Sequence, residues 1–102
     1  MKYSVKLYSE FSRELGELSI YITRRFDAPQ RAQKQAARIV KAAESLAVSP
    51  KRHRVRKTDS HGRELRFFPV DNYTHVYSVD DDTKTVSILR VVYGRRDIAS
   101  ML

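Results

Sequence analysis

A chain of 102 residues is long enough for one domain with a modest core, and we expect a single domain over residues 1–102. It contains no cysteine, which excludes disulfide bonds and thiolate metal sites. Its 20 Lys and Arg against 12 Asp and Glu give a net charge of +8, and a charge of this sign favours nucleic acid, an acidic protein or an anionic membrane as partner.

The sequence has no pattern typical of export, membrane insertion or metal binding. Lysines interrupt the apolar residues at the N-terminus, unlike a signal peptide, and no apolar run approaches the roughly 20 residues that span a bilayer. His53, His61 and His75 lack the spacing of metal ligands. We therefore expect a cytoplasmic protein that uses no membrane, metal or cofactor.

The N-terminal half has the pattern of one strand followed by two helices. Apolar and polar residues alternate over residues 2–8, which predicts a half-buried strand. Apolar residues then recur every three or four positions over 11–26, which predicts a helix with Ser9 as its N-cap. A second stripe over 32–46 predicts another helix, whose first turn contains Pro29 and whose cap is Asp27 or Ala28. The two helices should form an antiparallel hairpin.

Residues 51–66 differ from the rest of the chain in their positive charge, with seven Lys or Arg and two acids. Within this segment, the residues around Val55 could form an edge strand. Beyond it, strand patterns cover about 64–68, 73–79 and 84–92, and the near-continuous apolar residues of the last run predict a strand buried on both faces.

The basic run 51–57 has two interpretations. It could be a solvated connector, or it could be a surface for nucleic acid or an acidic protein. Closely spaced cations gain free energy by releasing condensed counterions from a phosphate backbone, and Arg63 and Arg66 follow the run closely enough to favour the second interpretation.

Arg90, Arg95 and Arg96 come at the end of the last predicted strand and are the sharpest candidates for a binding site. A guanidinium can grip phosphate or carboxylate through two parallel hydrogen bonds, as lysine cannot. The alternative is a structural ion-pair network with Asp71 and the acidic turn 80–82.

The nearby aromatic and histidine residues have more ordinary explanations. Tyr73, Tyr77 and Tyr93 are more typical of a sheet or core than of catalysis, and His75 lies within a predicted strand and fits a structural role. His61 lies in a predicted turn and should be exposed.

Four short motifs follow one another in the last third of the chain: Pro69-Val70-Asp71-Asn72-Tyr73, Val76-Tyr77, Ile88-Leu89-Arg90-Val91 and Tyr93-Gly94-Arg95-Arg96-Asp97-Ile98. In this order they resemble the C-terminal half of RelE/ParE-superfamily toxins, and the N-terminal strand and helix pair extend the resemblance over nearly the whole chain. It implies an α+β fold in which a two-helix hairpin packs on a mainly antiparallel sheet of about four strands.

The resemblance also implies a function. The chain would be the toxin of a type II toxin–antitoxin pair, active in growth inhibition and plasmid stabilisation, and neutralised by a cognate acidic antitoxin. The antitoxin would lay a helix or an extended strand across the hairpin groove or the sheet. Besides the two toxin mechanisms described next, a third possibility is a regulatory partner without toxicity.

Two mechanisms exist in the superfamily. RelE-type members cleave mRNA on the ribosome with several basic residues and a general base. Arg96 matches one of their arginines and Arg66 lies near their strand lysines, but Thr74 and Leu102 stand where a second arginine and a late tyrosine would be. ParE-type members inhibit DNA gyrase by binding, which requires no catalytic base.

We therefore expect gyrase binding through Arg66, Arg90, Arg95 and Arg96. The alternative is a ribosome-dependent endoribonuclease, in which Arg66 and Arg96 contact phosphate and either His61 or Tyr93 is the base.

Overall fold

The computed structural model describes residues 2–94 and Ile98. In this part of the chain, two helices pack on one face of a five-stranded sheet of order β1-β5-β4-β3-β2. β1 runs parallel to β5, and the other neighbours are antiparallel. The elements are β1 (Ser4–Leu7), α1 (Ser9–Phe26), α2 (Pro29–Ser45), a 3-10 turn (Pro50–Arg52), β2 (Val55–Thr58), β3 (Glu64–Val70), β4 (Tyr73–Asp80) and β5 (Thr85–Tyr93).

The predicted α+β architecture with a helix hairpin on a mainly antiparallel sheet is confirmed. The described sheet has five strands where about four were expected, because the basic segment around Val55 does form the edge strand β2. This edge carries Arg56 and Lys57 and an irregular register between Val55 and Lys57. Charges and irregularities of this kind protect a sheet edge from pairing with another chain.

The helix boundaries follow the predicted signals with one exception. Ser9 is the first residue of α1, not its N-cap; Tyr8 occupies the cap position without a side-chain hydrogen bond. Asp27 ends α1 in the left-handed conformation, with a φ of 49°. Ala28 then caps α2 and Pro29 opens it, as predicted, because the first turn of a helix does not need the missing proline N–H.

β5 is the strand around which the core is built. Ile88 and Val91 belong to the cluster between sheet and helices, where they join Phe11 and Ile39. Leu89 and its neighbours on the opposite face belong to a second cluster, which includes Ile98. The prediction of a last strand buried on both faces is confirmed.

His75 lies fully buried in β4 under the helix hairpin. Its Nε2 donates to the Ile39 carbonyl oxygen at 2.9 Å, and its ring packs near those of Phe11 and Phe68. Burial lowers the pKa of His75, because a low-dielectric core disfavours the charged imidazolium. The neutral side chain therefore joins α2 to the sheet.

Replacing Ile88 by alanine should destabilise the fold strongly. Ile88 is fully buried, so the substitution removes apolar contacts and leaves a cavity, with an expected cost of about 2–5 kcal/mol. Urea denaturation measures the free energy of unfolding. The matched control is Ile20→Ala in α1, where the side chain is 53% exposed and the change should cost less than about 0.5 kcal/mol. Equal losses in the two variants would contradict this view of the core.

Stability should fall as the pH drops below about 6.5, the ordinary histidine pKa. The lowered pKa of His75 means that the unfolded chain binds more protons than the folded one in this range, so acid favours unfolding. Burial also lowers the pKa of His53 and adds to the effect.

Unfolding free energies at pH 7.5 and 5.5 test this prediction in His75→Gln, which cannot titrate. The variant should lose less stability on acidification than the wild type. A full wild-type pH dependence in His75→Gln would assign the effect to other groups.

Candidate functional site at the end of β5

A groove of about 760 Å³ opens where β5 ends beside the β3–β4 turn and the helix hairpin. We call it the aromatic groove. Both helices, the β3–β4 turn and the adjoining ends of β4 and β5 contribute to it. Its lining consists of Leu18, Tyr21, Ile22, Phe26, Arg31, Gln35, Arg38, Asp71, Asn72, Tyr73 and Tyr93.

Two aromatic pairs form the walls of the aromatic groove. Tyr73 and Tyr93 lie opposite each other across β4 and β5, with ring centroids 5.2 Å apart. Tyr21 and Phe26 meet edge to face at 6.5 Å. Tyr21, Phe26 and Tyr93 are 55%, 52% and 50% exposed. Large aromatic side chains that are half exposed within one concavity are typical of protein-binding surfaces.

Positive charge surrounds the aromatic groove on the hairpin side. The guanidinium groups of Arg25 and Arg31 lie 5.7 and 5.4 Å from the centroid of the Phe26 ring. Arg38 forms an ion pair with Asp71 at 2.6 Å, which joins α2 to the β3–β4 turn. The groove therefore suits a partner that offers apolar groups together with negative charge.

Gly94 fixes the end of β5 at the groove. Its φ of 98° is costly for other residues, and its N–H donates to the Asn72 carbonyl oxygen at 2.8 Å. The predicted site residues Arg95 and Arg96 follow Gly94 in the sequence, and they lie outside the described residues.

Arg90 is held by Glu14 of α1. Its Nε and Nη2 donate to the carboxylate at distances from 2.7 to 3.0 Å, which is a bidentate geometry. The same carboxylate accepts the Val91 N–H at 3.1 Å. The hydrogen bonds that Arg90 donates to the Glu14 carboxylate raise the pKa of Arg90. Part of the side chain, 28%, still reaches solvent.

For Arg90, the predicted ion pairs with Asp71 and the acidic turn 80–82 are therefore wrong. Asp71 pairs with Arg38, and Asp81 accepts hydrogen bonds from Lys51 and from the Tyr3 hydroxyl. Glu14 takes their place because α1 runs beside the edge of β5 beyond the last residue of β1.

The structure does not bring Arg66, His61 and Tyr93 together. Arg66 pairs in register with Tyr77, and its guanidinium donates to the His53 carbonyl oxygen at 2.7 Å. Tyr93 pairs with Tyr73, four residues along β4, or about 13 Å at the usual strand rise. His61 lies beyond the other end of β3, in an exposed turn where its N–H donates to an Asp59 carboxylate.

Much of the basic run 51–57 is used within the protein. Lys51 bonds Asp81, and Arg52 donates to the Val48 carbonyl oxygen at 2.7 Å beyond the end of α2. The His53 ring stacks on Phe68 with centroids 4.5 Å apart. This supports a connector that packs against the domain, although Arg54 remains exposed.

Sequence reasoning missed the groove residues on the hairpin. Phe26 is the last residue of the predicted apolar stripe over 11–26, but it is 52% exposed and lines the aromatic groove. Tyr21 lies beside that stripe, which was a signal of an unpaired aromatic. Nothing in the local sequence indicates that Glu14 reaches Arg90, 76 residues away.

Within residues 2–94 and 98, no group of three His, Cys, Asp or Glu side chains is placed to hold a metal ion. In the same part of the chain, neither helix has the length and apolarity required to cross a bilayer.

Comparison with known proteins identifies the family. The profile described as ParE toxin of type II toxin–antitoxin system, parDE, matches residues 5–98. A search of curated protein sequences finds no match.

Three solved structures share the fold. A chain of the toxin–antitoxin complex RelBE2 from Mycobacterium tuberculosis is 24% identical, with a TM-score of 0.67 over 91% of this chain and 99% of that one. A chain of the chromosomal ParDE system from P. aeruginosa is 18% identical, with a TM-score of 0.75 over 92% and 98%. A chain of the archaeal RelE–RelB complex from Pyrococcus horikoshii OT3 is 22% identical, with a TM-score of 0.62 over 94% and 99%.

The fold is thus that of the RelE/ParE superfamily, and the family profile spans nearly all the elements that position the aromatic groove. The chain belongs to the ParE toxin family of type II toxin–antitoxin systems.

Proposed function

We propose that this toxin inhibits growth by binding DNA gyrase and is neutralised by a cognate acidic antitoxin. The observation that carries the choice of a binding mechanism is the separation of the candidate catalytic groups. Arg66 is about 13 Å along the strand direction from Tyr93, and His61 lies in an exposed turn beyond the end of β3, where its N–H donates to Asp59. General acid–base catalysis requires such groups within hydrogen-bond reach of one substrate.

The contacts of the described arginines support the same choice. Arg66 donates to the His53 carbonyl oxygen and Arg90 is gripped by Glu14, so both guanidinium groups already hold parts of the fold together. Their remaining donors can contribute to target binding, and we propose that Arg95 and Arg96 provide the main contacts. The Glu14 contact fixes the position of Arg90 on β5.

An acidic antitoxin fits the aromatic groove. The solved relatives from M. tuberculosis and P. horikoshii are complexes of toxin with antitoxin. Tyr21, Phe26 and Tyr93 offer apolar contact area, and Arg31 and Arg38 offer charge at the rim. The net charge of +8 would accelerate encounter with an acidic chain.

The second candidate is the ribosome-dependent endoribonuclease. It is favoured by one observation: Tyr93 is half exposed and stands immediately before Gly94 and the arginine pair. In that mechanism Tyr93 or His61 would be the base, and Arg66 and Arg96 would stabilise the phosphate. Message cleavage decides between the two candidates.

Expression of the chain alone should stop growth, and co-expression with its antitoxin should restore it.

Phe26→Ala removes a half-exposed groove aromatic and should weaken antitoxin binding by more than about 1 kcal/mol, so that rescue fails at low antitoxin levels. Titration calorimetry measures the affinity. Val48→Ala, which removes a similarly exposed apolar side chain outside the groove, is the control and should bind normally.

Unchanged growth while folded protein accumulates would refute the proposed toxicity and would favour a regulatory role. Equal antitoxin affinities of Phe26→Ala and Val48→Ala would show that the antitoxin binds outside the aromatic groove. The proposed toxicity would be unaffected by that result.

Arg96→Ala should abolish toxicity while the protein remains folded. If the contact is bidentate to carboxylate or phosphate, Arg96→Lys should not restore activity, because an ammonium cannot make two parallel hydrogen bonds in that geometry. Supercoiling by gyrase and cleavage of message on programmed ribosomes are the two assays. Arg24→Ala, an exposed arginine outside the groove lining, is the matched control and should remain toxic.

The expected result is inhibited supercoiling with intact message. Cleaved message with unaffected gyrase would overturn the gyrase proposal, and Tyr93→Phe and His61→Gln would then identify the base.

A further inference from the structure

The outer face of α2 carries a row of four cations that the proposed function does not use as a unit. They recur at intervals of three, four and three residues, so they follow one face of the helix over about 15 Å. All four are exposed. We call this row the cationic stripe: Arg31, Lys34, Arg38 and Lys41.

The charges of the cationic stripe are mostly uncompensated. α2 contains one acidic residue, Glu44, which follows the stripe. Arg38 pairs with Asp71, and the exposed fractions of these side chains are 61% and 41%. Lys34 and Lys41 make no ion pair with another described residue. A helix face of this composition creates a local positive potential.

The neighbours of the stripe argue against a protein partner. Among the described residues, the large apolar side chains that are exposed belong to elements other than α2. A protein interface needs a dry apolar centre with aromatic or aliphatic anchors. Phe26 of α1 lies beside Arg31 at the start of the stripe, but Lys34 and Lys41 lie outside the aromatic groove and their helix carries no large exposed apolar side chain. Its exposed uncharged polar side chains, such as Gln30 and Gln33, can instead donate to phosphate oxygens.

The same composition argues for a duplex over a single strand. Single-stranded nucleic acids bind through bases stacked on aromatic rings, and α2 contains no aromatic residue. A duplex presents about one phosphate charge per 1.7 Å of its axis, so a stripe of about 15 Å can contact several phosphates.

We propose that the cationic stripe binds the phosphate backbone of a nucleic-acid duplex, without regard to sequence. Arg31 and Arg38 also line the aromatic groove at this end of β5, whereas Lys34 and Lys41 lie outside that lining. DNA and RNA duplexes share the chemistry, and the experiment compares them.

The test measures fluorescence anisotropy of a short labelled DNA duplex and of an RNA duplex of the same sequence, titrated with purified toxin between about 50 and 200 mM salt. The wild type should bind at low salt and lose affinity steeply as salt rises. Lys34→Ala with Lys41→Ala should lose roughly tenfold in affinity at low salt and reduce the salt slope by about two units. Alanine favours the helix, so α2 should stay folded.

The matched control is Lys2→Ala with Lys6→Ala. It removes the same amount of charge from in and beside β1, outside α2, and should retain most of the affinity. Equal losses of duplex affinity in the two double variants would show that only the net charge matters, and would overturn the proposal. Failure of the wild-type protein to bind either duplex would also overturn it.

Antitoxin affinity supplies the last readout. If Lys34→Ala with Lys41→Ala binds the duplexes normally but binds the antitoxin less tightly, the stripe is a protein interface and the proposal is wrong. Gyrase inhibition is measured separately, so that failure of duplex binding leaves the proposed function untouched.

Discussion

The arrangement of the whole domain depends on β5, which is bonded along both edges and buried on both faces. β1 pairs with it as far as Ile88, and β4 pairs with it along its length. Where β1 ends, the Tyr8 N–H still donates to the Ile88 carbonyl oxygen, and the Glu14 carboxylate then accepts the Val91 N–H. The Glu14 side chain thus accepts a backbone N–H that a longer β1 would have paired.

Because the Glu14 carboxylate accepts a hydrogen bond from β5, it couples the helix hairpin to the functional end of the sheet. The carboxylate holds Arg90 and Val91 of β5 while its helix supplies Tyr21 and Phe26 to the aromatic groove. A second tie, from Arg38 to Asp71, joins α2 to the β3–β4 turn. The walls of the groove are therefore fixed by two ion pairs at different depths, and the less exposed Glu14 pair should contribute more because solvent screens it less.

The spacing of apolar residues predicted the helices and strands because it reflects which side of each element is buried. It predicted both helices, the strand that contains Ile88, and the proline start of α2. It could not show which residues of the stripe over 11–26 are buried, and its last residue, Phe26, is 52% exposed. Nor could it reveal that Glu14 pairs with Arg90, because a long-range ion pair leaves no pattern in the neighbouring sequence.

The two helices contribute unequally to the net charge of +8. α1 contains three acids and three arginines and balances to zero, whereas α2 contains four cations and one acid, a surplus of three. The exposed apolar residues have the opposite distribution: α1 carries Ile20, Tyr21 and Phe26, and α2 carries none that is large. Two helices of one hairpin therefore present different chemistries, one with apolar anchors that suit a protein and one with bare charge that suits phosphate. Lys34 and Lys41 lie outside the groove lining, so their substitution can remove phosphate contacts and leave the aromatic groove in place.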